Sequence, residues 1–266
     1  MTMKWYAAIS FFFLLLFYSC KKTVTLGLNN LPARIVIQGE ITNSEGPYMV
    51  KISQSVGFYD DNNFPAVSGA QVKITDDLGF SDSLTETAPG IYSTHVLKGR
   101  PGGTYNLSVI AQQKQYTAVS TMPRSVGLDS VTFETFSGFG RNQISAVVNF
   151  QDPPGIRNFY RFVEHINDKP FTKNIFIFSD RLSDGRYIVN TLRSDSAYLD
   201  SGDLLEVKMY CIDEPVYKYF YQLEQSSGNG AFNTAASPVN PVSNISNGAF
   251  GDFSAHTVRS RKGRVY

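Results

Sequence analysis

The sequence predicts a mainly β protein: an N-terminal seven-stranded β-sandwich followed by a β-rich domain with one covering helix. Three observations predict it. The chain is rich in Tyr (15) and Phe (20) and also carries 21 Gly and 12 Pro, a mixture that favours strands joined by tight turns. Apolar residues alternate at period two through most of the chain. Only one segment, near 214–227, repeats its apolar residues at helical spacing.

Residues 1–19 read as a signal peptide. Lys4 supplies the positive start, and Trp5 to Tyr18 is a 14-residue apolar run interrupted only by Ser10. That run is shorter than the roughly 20 residues of a spanning helix, and Ser19 then stands directly before Cys20, with Lys21 and Lys22 following. A small residue before a cysteine at the end of the apolar run resembles a bacterial lipobox, with Phe17 where Leu is usual and a bulky Tyr18. Cysteine usage agrees, since the only other cysteine is Cys211 and a soluble secreted domain more often pairs an exposed cysteine. The expectation is cleavage before Cys20 and acylation of its thiol, which anchors the chain to a membrane.

Residues 20–33 read as a lipidated tether ending in Asn29, Asn30 and Pro32. From Arg34 the alternation begins. IVIQGEIT at 35–42 is a strand. Asn43, Ser44, Gly46 and Pro47 turn the chain into Tyr48, Val50 and Ile52, which alternate with Met49, Lys51 and Ser53. Val72 and Ile74 mark a strand closed by Asp76, Asp77 and Gly79. A weaker strand covers 80–86, and Pro89 and Gly90 lead into IYSTHVL. GRPGG at 99–103 precedes Tyr105, Leu107 and Val109, and a last strand runs near 115–121. Seven short strands in about 90 residues suit an immunoglobulin-like or prealbumin-like sandwich over 34–123. Each strand has one apolar face, and stacking two sheets buries both sets.

Pro123, Ser125 and Gly127 interrupt the pattern, and a second domain is expected over 124–258. Its strands are VTFETF (131–136), ISAVVNF (144–150), FYRFVEHI (159–166), NIFIF (174–178), RYIV (186–189) and LLEVKMYCI (204–212). Asp213 then caps a helix with Pro215 in its first turn and Val216, Tyr219, Phe220 and Leu223 on one face. Residues 226–251 form a long Ser/Gly/Asn/Pro-rich loop. AFGDFSAHTV (249–258) closes the domain, and 259–266 is a basic tail with four charges in eight residues.

The residues carry little chemistry. Removing 1–19 takes Lys4 from the 24 Lys+Arg and nothing from the 23 Asp+Glu, so the remaining chain has no net charge. Bulk charge therefore draws neither nucleic acid nor an acidic surface. His95, His165 and His256 match no zinc spacing and read as surface or turn-edge histidines. No GxSxG elbow or P-loop is present, and Cys211 reads as a buried, inert thiol. Asp60, Asp61, Asn62 and Asn63 do not follow the EF-hand pattern and read as a solvated turn. Glu164 and Asp168 are near enough in sequence to be weighed as an acid/base pair, but such neighbours are commonplace and nothing in the sequence suggests a shared cleft. No cofactor, metal or catalytic residue is expected. Binding candidates are the loop aromatics Phe58, Tyr59 and Phe64, with Phe136, Phe139, Tyr217 and Tyr221 behind them.

The succession IVIQGEIT, GPYMVKISQS, PAVSGAQVKITDDLG, GIYST, GGTYNLSV, DEPVYKYFYQLEQ and NPVSNISNGAFGDFSA resembles a family of Bacteroidota outer-membrane lipoproteins classed as a domain of unknown function. The likeness spans about 35–258. It implies an N-terminal domain similar to carboxypeptidase-regulatory-type sandwiches and an accessory role beside TonB-dependent receptors, and it supplies no catalytic residues. Surface-exported relatives often carry acidic residues after the lipid cysteine, whereas KKTVTL follows Cys20 here. The functional expectation is a lipid-anchored outer-membrane binding module with an outer-membrane protein as partner. A structural envelope tether or matrix protein is the alternative, and an unrecognised hydrolase using a carboxylate pair is a third reading.

Overall fold

The computed structural model describes residues 32–266 apart from 58–59, 62, 139–140, 194–198 and 227–239. Cys20, Phe58, Tyr59 and Phe139 lie outside the described residues. Strands make up 55% and helices 8%, so the chain is mainly β as its period-two pattern requires.

The first seven strands are β1 (Ile35–Thr42), β2 (Met49–Gln54), β3 (Gln71–Asp76), β4 (Ser81–Ala88), β5 (Ile91–Ser93), β6 (Thr104–Ala111) and β7 (Lys114–Thr121). They alternate in burial as they alternate in sequence. Ile37, Ile41, Val50, Ile52, Val72, Ile74, Leu107 and Val109 meet in one core. The strand expected through IYSTHVL stops at Ser93, because the buried Asp82 carboxylate gathers the backbone amides of residues 95–97. The N–H groups of His95, Val96 and Leu97 each donate to its Oδ2 at 2.9 Å. Burial alone raises the Asp82 pKa, but these bonds and the His95 side chain outweigh it and hold the carboxyl below its ordinary range.

The second half contributes β8 (Ser130–Gly138), β9 (Arg141–Gln151), β10 (Phe159–Ile166), β11 (Lys169–Ser179), β12 (Tyr187–Leu192), β13 (Leu204–Ile212), α1 (Glu214–Ser226) and β14 (Phe250–Arg264). The sheet β12-β9-β8 stacks on β11-β10-β13-β14. Between them lies a second core with Val148, Phe150, Tyr160, Phe162, Val207, Met209 and Cys211. α1 covers the opposite face of β10, β11 and β13 through Val216 and Phe220, against Phe159 and Ile212. Its N-terminus is held as the sequence predicts: the Val216 N–H donates to Asp213 Oδ1 at 3.2 Å. Asp213 Oδ2 also accepts from Ser120 Oγ at 2.7 Å and from the Thr121 N–H at 3.0 Å, which fastens the helix cap to β7.

One sheet of eleven strands runs through both halves in the order β11-β10-β13-β14-β1-β2-β5-β4-β3-β6-β7. β14 is its seam. Residues 250–256 pair in parallel with 36–42 of β1, and residues 257–264 pair antiparallel with 204–211 of β13. The expected basic tail at 259–266 is therefore corrected: Arg259 to Arg264 are the closing residues of the 15-residue strand β14. Their charged side chains stay outside while their backbone groups are paired with β13, which composition does not reveal. Phe253 and Ala255 of the same strand fill the first core.

Gly251 makes the seam possible. Its φ is +93°, and a Cβ there would lie 2.0 Å from the Ile37 carbonyl oxygen, so only glycine lets the strand enter beside β1. Gly251→Ala is expected to lower unfolding stability by roughly 2–4 kcal/mol. Gly202→Ala has a similar φ of +98° and no heavy atom within 4 Å, and should cost about 1 kcal/mol. Urea melts of the two variants check the difference, and equal losses would contradict the seam's dependence on Gly251.

Candidate functional site

Alternation builds a cleft on the outer face of the seam. On β10, Tyr160 and Phe162 enter the second core, so Arg161 between them points to the other face. The same parity turns Tyr210 and Ile212 of β13 outward. On β14 it turns out Asp252, Ser254 and His256, on β1 Gln38 and Glu40, and on β2 Met49 and Lys51. Register places Asp252 beside Gln38 and Ser254 beside Glu40, and Gln38 beside Lys51. Tyr219, Phe220 and Leu223 of α1 form the remaining wall, and together these residues enclose a cavity of about 360 Å³.

Arg161 is the cation at the centre. Its guanidinium carbon sits 3.9 Å from the Phe220 ring centroid and 5.8 Å from that of Tyr210, a cation–π arrangement. Among the described residues it has no ion pair and no side-chain hydrogen bond. Burial holds its pKa below the ordinary arginine value, with Asp252 pulling the other way. Burial, with Glu40 and Asp213 adding repulsion, pushes Asp252 up to about 6 against the attraction of Arg161. Burial also lifts Tyr219 to about 12.

His256 corrects the expectation of a surface histidine. It is 3% exposed, its ring stacks on Tyr210 at 4.5 Å between centroids, and its Nδ1 lies 2.9 Å from Ser254 Oγ. Its Nε2 is buried without a hydrogen-bond partner. Burial, and after it the positive charge of Arg161, push its pKa down to about 3, so it is neutral at physiological pH. The misreading has a simple cause: a histidine between Ala255 and Thr257 shows nothing of the sheet that covers it.

The other candidates do not assemble into a site. Phe64 is 49% exposed and Phe136 60% exposed. Tyr217 packs on Phe159 with centroids 4.8 Å apart and stacks on the more exposed Tyr221. Glu164 is buried on β10, whereas Asp168 stands exposed at the β10–β11 turn, 3.7 Å from Lys262 Nζ. The Cys211 thiol is buried, and burial raises its pKa. His95 is exposed and bonded to Asp82.

Two further features were not legible beforehand. Asp152, Asp180 and Asp184 bring one oxygen each within 4.8 Å of one another, and each carboxylate is tied to neighbouring loops. Asp152 accepts from Tyr160 Oη and the Gly185 N–H, Asp180 from the Asn158 N–H, and Asp184 from the Gly155 N–H. An open groove of about 750 Å³ runs past Ile177, Leu182, Tyr187 and Val189. None of its lining side chains holds a buried polar atom without a partner, which sets it apart from the cleft.

Fold and cleft together define a β-sandwich protein with a helix-walled, charge-lined cavity at the seam. Residues 21–262 match the family model described as Domain of unknown function (DUF4249), and the chain belongs to that family. No curated protein matches the chain.

The raised Asp252 pKa fixes the sign of a pH effect. A carboxyl whose folded pKa exceeds its unfolded value stabilises the fold below about pH 4, and that contribution is lost as pH rises through about 6. Asp252→Asn removes the loss. The variant should gain on the wild type between pH 4 and pH 7, reaching on the order of 2 kcal/mol at neutrality. Thermal melts across that range check it, and a gain independent of pH would contradict the assignment.

Proposed function

We propose that the chain is a cell-envelope lipoprotein, anchored in the outer membrane by acyl groups on Cys20, and that it acts by binding rather than catalysis. Its role is that of an accessory to an outer-membrane TonB-dependent transporter. The observation that carries the reading is the segment MTMKWYAAISFFFLLLFYSC, a short positive start and apolar run ending in a small residue before cysteine. Among the described residues no helix is long and apolar enough to cross a membrane.

Two features of the cleft support binding over hydrolysis. Ser254 and His256 are hydrogen-bonded, but a histidine held near pKa 3 is a feeble general base at neutral pH. Its Nε2 also has no carboxylate to orient it. The alternative carboxylate pair is split between a buried Glu164 and an exposed Asp168.

Cys20→Ala tests the anchor. The variant should leave the membrane fraction and fail to incorporate labelled fatty acid; retention in membranes without acyl label overturns the lipoprotein reading. Affinity purification of the wild type after gentle detergent extraction tests the partner. An outer-membrane β-barrel should copurify with it, and recovery of the protein alone counts against the accessory role.

A further inference from the structure

We propose that the cleft at the sheet seam binds a small zwitterion of the α-amino-acid class, its carboxylate on Arg161 and its ammonium on Asp252 and Glu40. The proposal rests on the binding role inferred above and names the chemistry of its ligand.

Charges drawn out of water are ordinarily paired or hydrogen-bonded. Here the Arg161 guanidinium lies against the Phe220 ring, and the nearest opposite charges, Asp252 and Glu40, act on it from beyond ion-pair distance. Its planar fork is built to take a carboxylate with two parallel N–H bonds. Asp252 is the converse, an acceptor beside the same cavity with no hydrogen bond to another side chain among the described residues. The cavity therefore offers an unmet donor set and an unmet acceptor set side by side.

The charge balance selects among ligands. Arg161 and Lys51 face Glu40 and Asp252 in the lining, two charges of each sign. An anion alone or a cation alone would unbalance a partly dehydrated site, whereas a zwitterion satisfies both groups without net charge. His256 lines the same cavity, its Nδ1 engaged by Ser254 and its Nε2 buried. Met49, Ile212, Phe220 and Leu223 supply an apolar wall for a side chain. A volume of about 360 Å³ lies at the small end of ligand pockets, which suits a single amino acid or the end of a peptide.

Calorimetry on the full chain purified in detergent tests this with L-phenylalanine, L-leucine and glycine. The comparison probes are 3-phenylpropionate, which lacks the ammonium, and phenethylamine, which lacks the carboxylate. At least one amino acid should bind. Each half-molecule should bind at least tenfold more weakly than phenylalanine. Arg161→Gln and Asp252→Asn should each weaken amino-acid binding at least tenfold, with melting curves confirming folded variants. If Arg161→Gln does not fold, Asp252→Asn and the half-molecules on the wild-type chain decide alone. Absence of heat with all three amino acids, or phenylpropionate binding as tightly as phenylalanine, overturns the proposal. A negative result with the β-barrel still copurifying removes only the ligand class; intact amino-acid binding without copurification removes only the transporter role.

Discussion

The pairing of β14 on both of its edges is the constraint on which the rest of the molecule depends. Its first half is the parallel neighbour of β1 and its second half the antiparallel neighbour of β13. Each half is strand-paired along one edge, and the opposite edge of the first half is met by side chains: Ser243 Oγ donates to the Gly251 carbonyl, Asn244 bonds both backbone groups of Phe253, and Ser120 Oγ accepts from the Ala255 N–H. The same strand delivers Phe253 and Ala255 to the first core and, one residue out of phase, Asp252, Ser254 and His256 to the cleft. The close approach of Gly251 to Ile37 shows how little tolerance this join has.

The helix depends on the seam in turn. Asp213 caps α1 and simultaneously accepts hydrogen bonds from Ser120 and Thr121 of β7. Ser120 Oγ is itself the acceptor for the Ala255 N–H at 2.8 Å. Helix, first sandwich and closing strand are thus joined through a short chain of polar contacts, each satisfied by the next. That chain sets α1 at the edge of the seam, where Phe220 can lie over Arg161 and wall the cleft. The arrangement concentrates partly dehydrated charges in one place, which is what a fold optimised only for stability avoids.

Most of the strands were legible because each buries one face, and burial of one face forces alternation. The seven N-terminal strands and the capped helix lie close to the segments their patterns mark. The readings that failed share one cause. Arg259 to Arg264 look solvated because their side chains are, while their backbone pairing with residues about 55 positions earlier leaves no local trace. His256 looks ordinary because its environment is made by Tyr210 and Arg161, brought there by two other strands. Arg161 itself sits in FYRFVEHI as the outward residue of a strand, and nothing nearby in sequence says that a helix will cover it.

The sequence by itself determined the local structure, the division of apolar residues between faces, and the N-terminal segment on which the envelope reading rests, because these follow from spacing and residue type along a few consecutive positions. Tertiary structure alone decided that the closing strand joins both halves and that Arg161, Asp252 and His256 share one cavity. The physical reason is that strand order and register are set by backbone pairing between distant segments, and it is this pairing, not the pattern within any one strand, that chooses which outward-facing side chains become neighbours.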